Sequence, residues 1–141
     1  MTLLQVSMPS IFLYCIAIAA VLVYLPFLLV AYARVTFGPE ALATPRAVVD
    51  KLPPYAQRAT WAHQNAFEAF TLFAPAALMA YVTKVDSSLA AGAAIAFLIA
   101  RLLHSVFYIL NIPLARALMF AIGSLSIATL IIVSLSQVNA N

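Results

Sequence analysis

The sequence predicts an all-α integral membrane protein built as a bundle of four transmembrane helices. Of its 141 residues, 66% are hydrophobic and only 8% are charged. A soluble domain carries about 25% charged residues, so this chain has too few charges to cover a surface that faces water. Seven basic residues are too few to follow a nucleic-acid backbone, and one cysteine cannot form a disulfide framework. These observations exclude a soluble globule, a nucleic-acid-binding protein and a disulfide scaffold.

Four apolar stretches are each long enough to cross a bilayer, whose hydrocarbon core of about 30 Å needs about 20 helical residues. The stretches cover residues 10–33, 59–82, 88–110 and 114–135. The first contains no charge, and the others contain Glu68, Arg101 and Arg116 respectively. Apolar residues run continuously rather than alternating, which favours helices over the strands of a membrane barrel. The whole chain, residues 1–141, is therefore predicted to form one domain.

The connections between the spans predict the orientation of the chain in the membrane. The first connection, residues 35–57, contains four prolines and a glycine, which predicts a loop without helix. The third is so short that the last two spans should form a tight hairpin. Basic residues concentrate near the first and third connections, at Arg34, Arg46, Lys51, Arg58 and Arg116, whereas the second has only Lys84. The positive-inside rule then puts loops 1 and 3 in the cytoplasm and both termini on the opposite side.

Polar residues within the second and third spans form two stripes. Their spacings of three and four residues match the period of an α-helix, so each stripe shares one helical face. The stripe on the second span comprises Arg58, Trp61, Asn65, Glu68 and Leu72. The stripe on the third span comprises Arg101, His104, Tyr108 and Asn111. Together they predict a polar cleft between these two helices that opens toward the cytoplasm.

The floor of this cleft is predicted to lie deep in the membrane. Glu68 and Arg101 are each ten residues from the cytoplasmic end of their stripe, which corresponds to a depth of about 15 Å. An ionisable group at such a depth costs about 2.5–3.5 kcal/mol on insertion scales. We therefore expect Glu68 and Arg101 to form an ion pair or to share a polar ligand. A structural alternative stays open, because a buried ion pair can also hold helices together.

The cleft suits a small, flexible, anionic ligand, because its floor is neutralised and its mouth, near Arg58 and Arg116, is cationic. Four helices enclose little by themselves, so a second copy is needed to separate the cleft from lipid. This favours a homo-oligomer with sites at subunit boundaries. Two histidines without a paired carboxylate at ligand spacing make a poor metal site, so no metal is expected.

Two segments carry a resemblance to a known family. The string RATWAHQNAFE, residues 58–68, resembles the second-helix signature of the MAPEG family, the membrane-associated proteins in eicosanoid and glutathione metabolism. The string RLLHSVFY, residues 101–108, is similar to the third helix of that family, and a proline and Arg116 follow it as they do there. The resemblance covers most of the chain. It implies a homotrimer of microsomal glutathione transferase type, with glutathione as co-substrate bound between neighbouring subunits.

The same resemblance implies an activity and a set of site residues. The activity is conjugation of glutathione to a lipophilic electrophile that enters from the membrane lipids, or reduction of lipid peroxides. The residues that match the glutathione site are Arg34, Arg58, Asn65, Glu68, Arg101 and His104. Arg116 matches the arginine beside the sulfur, where a cation lowers the pKa of the thiol, and Tyr108 would act as a hydroxyl donor.

Two departures from the family pattern leave a second function open. Trp61 and Gln64 stand where many members have arginines that grip the carboxylates of glutathione, and neither side chain provides that bidentate contact. The alternative is a non-catalytic membrane subunit that serves as a scaffold or lipid-binding module. A small transporter is disfavoured, because the sequence has no inverted repeat and no matching pair of broken helices.

Overall fold

Four long helices form the protein, as seen in a computed structural model that describes residues 7–140. In chain order the elements are α1 (Met8–Phe37), α2 (Pro39–Ala43), a 3-10 helix (Val49–Lys51), α3 (Pro54–Val82), α4 (Ser88–Ile109) and α5 (Pro113–Ala140). No strand occurs within residues 7–140. The long helices α1, α3, α4 and α5 are each long and apolar enough to cross a membrane, and they correspond to the four predicted spans. The predicted all-α, four-helix membrane fold is confirmed, while residues 1–6 and 141 of the predicted domain lie outside the described residues.

Alanine allows α3 to pack closely against its neighbours. Seven of the eight buried residues on α3 are alanines, and the exception is Phe73. Small side chains let helix backbones approach each other where no hydrophobic effect drives them together. Phe73 in turn stacks on Phe97 of α4, with ring centroids 3.9 Å apart. The helix α3 therefore contacts α1 on one side and α4 and α5 on the other.

The first connection contains more helix than its sequence predicts. The helix α1 continues to Phe37, and α2 and the 3-10 helix follow before α3 begins at Pro54. The expectation of a loop without helix was wrong because Pro39 and Pro54 occupy first helical positions, where a missing N–H group breaks no hydrogen bond. Gly38, with φ of +118°, makes the turn between α1 and α2.

The connection is held against the end of the bundle by specific contacts. Lys51 Nζ donates a hydrogen bond of 2.9 Å to Glu40 Oε1. The Gln57 amide donates to the carbonyl oxygen of Leu52 at 2.8 Å. Leu52 itself is buried against Ala33 of α1 and Ala56 of α3. These contacts fix loop 1 beside the ends of α1 and α3.

The predicted tight hairpin joins α4 to α5 through residues 110–112. Asn111 adopts a left-handed conformation with φ of +59°. The N–H of Ile112 donates to the Phe107 carbonyl at 2.9 Å, and the N–H of Asn111 donates to the Tyr108 carbonyl at 3.2 Å. This pair of bonds is the Schellman motif that ends many helices. Asn111 is therefore the residue that terminates α4, and the prediction that it belongs to the polar face of that helix was wrong.

Candidate functional site

A cavity of about 210 Å³ lies between α3, α4 and α5. Its polar lining includes Ser124 together with Asn65, Glu68 and Arg101, three of the residues predicted to form the site. Leu72, Phe97 and Phe120 contribute to its apolar lining. The cavity is therefore lined by both charged and apolar side chains.

Arg101 is almost completely buried, with 5% of its surface exposed. Its Nη2 atom donates a hydrogen bond of 2.6 Å to Oδ1 of Asn65, which ties α4 to α3. Its Nε atom is buried and has no hydrogen-bond partner. Gly123 of α5 faces this side chain, and a Cβ atom added there would lie in ordinary van der Waals contact with Arg101 Cδ, at 3.5 Å. Burial on three helices thus fixes the position of this guanidinium group.

Glu68 and Arg101 line the same cavity without forming an ion pair. Within residues 7–140 the one salt bridge joins Glu40 to Lys51. The direct Glu68–Arg101 pair was therefore wrong, because Arg101 bonds to Asn65, one turn before Glu68 on the same helix. The carboxylate of Glu68 is exposed on the surface of the chain, where Gln64 Nε2 lies 3.5 Å from its Oε1 atom. The expectation that the two charges share a polar ligand stays a prediction.

A second cavity, of about 690 Å³, lies on the side of α3 that faces α1 and loop 1. Arg34, Arg46, Trp61, Gln64 and Glu68 contribute to its lining. Arg34 is half-buried, its guanidinium carbon lies 5.8 Å from the Phe27 ring centroid, and its Nε atom has no hydrogen-bond partner. Glu68 thus borders cavities on both sides of α3, and Arg34 lines the cavity that Arg101 does not.

Three further predicted residues gather where α4 meets α5. The guanidinium carbon of Arg116 lies 4.3 Å from the centroid of the Tyr108 ring. His104, one turn earlier on α4, packs edge-on against the same ring with centroids 5.7 Å apart. His104 is 2% exposed, and its Nδ1 atom has no hydrogen-bond partner. Phe120 connects this group to the first cavity, because its ring lies 6.4 Å from that of His104.

Arg58 is held at the end of α4 by a hydrogen bond. Its Nε atom donates a hydrogen bond of 2.7 Å to the Ile109 carbonyl at the end of α4. Such carbonyls lack partners within their own helix, so Arg58 caps the end of α4 from the neighbouring helix. The predicted residues therefore occupy three places rather than one cleft, namely the two cavities and the end of the α4–α5 hairpin.

Sequence reasoning missed several residues that line the first cavity, among them Phe120 and Gly123 of α5. Their signal was present, since they follow Arg116 by four and seven residues and so share its face of α5. His63 joins α3 to α1 by a 2.7 Å hydrogen bond between its Nδ1 atom and the Val23 carbonyl. In the part of the chain described, no group of three His, Cys, Asp or Glu residues is arranged to hold a metal ion.

Comparison with known proteins gives one match. The sequence model described as the MAPEG family matches residues 11–136 of the 141-residue chain. No curated protein and no solved structure matches the chain.

Proposed function

Because the chain belongs to the MAPEG family, we propose that it is a multi-pass membrane enzyme that conjugates glutathione to lipophilic electrophiles or uses glutathione to reduce lipid peroxides. One observation carries the proposal. Glu68 is halfway along the span α3, exposed, and without a cationic partner, beside the Asn65–Arg101 pair. A carboxylate kept in this position at a cost of about 2.5–3.5 kcal/mol supports a functional role for Glu68.

The chemistry of this group matches the chemistry of glutathione. Glu68 offers an anion for the ammonium group of the tripeptide. The side-chain carbonyl oxygen of Asn65 accepts a hydrogen bond from Arg101. The amide N–H groups of Asn65 can therefore donate to an acceptor on the ligand, such as a peptide carbonyl. His104 and Arg101 would complete the binding surface. A zwitterionic peptide would thereby supply the opposite charges that these residues lack within the chain.

We further propose that the enzyme is a homotrimer with its sites between subunits. The two cavities lie on different sides of α3, toward α4 and α5 and toward α1. Two different half-sites on one chain are suited to a head-to-tail interface, which closes into a ring when the rotation permits. In such a ring, Arg34 would serve the site that contains the Glu68 of the neighbouring subunit. The same contact would cover the exposed Glu68 and separate it from lipid.

Arg116 is proposed to activate the thiol. A thiol has a pKa near 8.5, and a nearby cation lowers that pKa and increases the thiolate fraction. In conjugation, the proton passes to water, the thiolate sulfur forms a C–S bond with the electrophilic carbon, and the leaving group departs with its electron pair. In peroxide reduction, the thiolate attacks the O–O bond to release an alcohol, and a second glutathione converts the resulting sulfenic acid to a disulfide and water.

Calorimetric titration of the purified protein with glutathione tests the proposal. We expect the parent protein to give a binding heat and Glu68→Gln to lose most of it, because the amide cannot neutralise the ligand ammonium. Glu40→Gln is the matched control, since that carboxylate is in loop 1 and pairs with Lys51. Equal heats from the parent and Glu68→Gln, or no heat from the parent, would contradict the proposal.

One observation favours a second candidate, a non-catalytic MAPEG subunit that acts as a scaffold or lipid-binding module. Trp61 is 42% exposed in the second cavity, at a position where the family resemblance leads one to expect an arginine for a carboxylate of glutathione. Native mass spectrometry separates the two candidates. A stoichiometric complex with a different membrane protein, together with no heat of glutathione binding, would support the scaffold role over the enzyme.

A further inference from the structure

We infer that Tyr108 is a positioning residue whose aromatic ring, rather than its hydroxyl group, holds Arg116 at the thiol. This inference rests on the proposed function and assigns Tyr108 a different role in it. The guanidinium carbon of Arg116 lies 4.3 Å from the ring centroid. That distance is well within the limit of about 6 Å for attraction between a cation and a π system.

The ring of Tyr108 is also in contact with His104. His104 precedes it by one helical turn and meets it at an interplanar angle of 65°, which is an edge-on contact. His104 is buried, and Phe120 of α5 packs 6.4 Å from it. Arg116, Tyr108, His104 and Phe120 therefore form a continuous row across the α4–α5 contact. A ring held in such a row presents a defined face to the guanidinium group.

The hairpin fixes the distance between the two residues. Eight positions separate Tyr108 from Arg116 in the sequence, and the turn at 110–112 folds them back on each other. The Ile112 carbonyl accepts the N–H of Arg116 at 3.1 Å, so the first turn of α5 is anchored in the connection itself. The backbone of the hairpin thus places Arg116 beside the Tyr108 ring in the absence of any ligand.

An aromatic ring suits this position better than an acidic residue. A carboxylate partner would fix Arg116 but would cancel the positive charge that stabilises a thiolate. The face of a tyrosine ring attracts the guanidinium through its quadrupole and leaves its net charge in place. Among residues 7–140 the single ion pair involves neither residue. The ring therefore orders a long, flexible side chain while preserving the charge that the proposed chemistry requires.

Two substitutions separate the ring from the hydroxyl group. We expect Tyr108→Phe to retain the thiolate of bound glutathione, measured by ultraviolet absorbance across a pH titration. Tyr108→Leu should reduce the thiolate fraction near neutral pH by about two- to fivefold, because Arg116 is no longer held. Tyr14→Leu, which removes an exposed tyrosine near the start of α1, is the matched control. An equal loss in Tyr108→Phe and Tyr108→Leu, or no loss in Tyr108→Leu, would overturn the inference.

A measurement without ligand separates this inference from the proposed function. The NMR signal of the Arg116 guanidinium should be shifted by the ring current in the parent and in Tyr108→Phe, and the shift should vanish in Tyr108→Leu. If the parent forms no thiolate, the proposed function fails, and the guanidinium signal alone decides the placement of Arg116. If all three proteins give the same signal, the inference fails. Should Tyr108→Leu not fold, Tyr108→Met removes the ring with a longer side chain, and Tyr108→Trp, which keeps an aromatic face, should retain the shift.

Discussion

At the scale of single residues, the bond between Arg101 and Asn65 links α3 to α4, as does the bond from Arg58 to the Ile109 carbonyl. A guanidinium group with 5% exposure needs acceptors, and Asn65 supplies one at 2.6 Å. Without it, the charge of Arg101 would be buried with no partner for its Nη2 atom. Asn65 therefore contributes to stability as well as to the proposed ligand site.

Replacing Asn65 by leucine should destabilise the protein by about 1.5–3 kcal/mol, the usual contribution of a hydrogen bond to a charged group. Thermal unfolding in a fixed detergent measures the effect. Asn139→Leu is the matched control, because that asparagine is exposed near the end of α5. Equal unfolding temperatures for the two variants would show that Arg101 finds another acceptor and would contradict the importance of this bond.

At the scale of elements, the α4–α5 hairpin is the feature that brings Arg116 to Tyr108. Its turn depends on the left-handed conformation of Asn111. That conformation is unfavourable for most residues that carry a Cβ atom, whereas glycine adopts it freely and asparagine adopts it more readily than other residues. Asparagine is one of the few residues other than glycine that occupy this position after a helix.

Asn111→Ala should therefore cost about 1–2 kcal/mol, whereas Asn111→Gly should leave the hairpin intact. Thermal unfolding of both variants measures the difference, and the guanidinium signal of Arg116 reports whether the turn still delivers that residue to Tyr108. A similar loss in both variants would mean that the asparagine side chain, rather than the backbone conformation, maintains the turn.

The spans were predictable because a continuous apolar run of about 20 residues matches the thickness of a bilayer and is too apolar for a helix that faces water. Helical periodicity also placed Asn65 and Glu68 on one face, and Arg101 and His104 on another. Periodicity gives no rotation of one helix relative to its neighbour, so the sequence did not reveal that Arg101 bonds to Asn65 instead of Glu68. It also could not separate Arg34 from the first cavity, since that depends on the packing of α1 against α3.

At the scale of the whole molecule, the exposed side chains fit a membrane environment and contact between subunits. Only 22–44% of the most apolar stretch of each long helix is buried within the chain. Residues such as Leu28 and Leu125 face outward, as lipid-exposed side chains do. Glu68 is the exception on this surface, which is why a neighbouring subunit or a ligand is expected to cover it.

The proposed orientation, with loops 1 and 3 in the cytoplasm, can be tested by labelling. In a Cys15→Ala background, a cysteine at Thr44 in loop 1 should react with a membrane-impermeant reagent only from the cytoplasmic side. A cysteine at Asp86, between α3 and α4, should react only from the opposite side, because the positive-inside rule separates these connections. Labelling of both positions from the same side, or of either from both sides, would contradict the orientation.

In the proposed homotrimer, the cavities on the two sides of α3 would make each chain a contributor to two reaction centres. In a closed head-to-tail ring, Arg34→Ala would damage the centre that the second cavity helps to form, while Asn65→Ala would damage the centre that the first cavity helps to form, because each of these residues lines only one cavity. Each variant alone would lose activity, yet co-expression of the two would create junctions that join an intact Asn65 to an intact Arg34. Recovery of activity on co-expression of the two variants would thus show that each site is formed by residues of two neighbouring subunits.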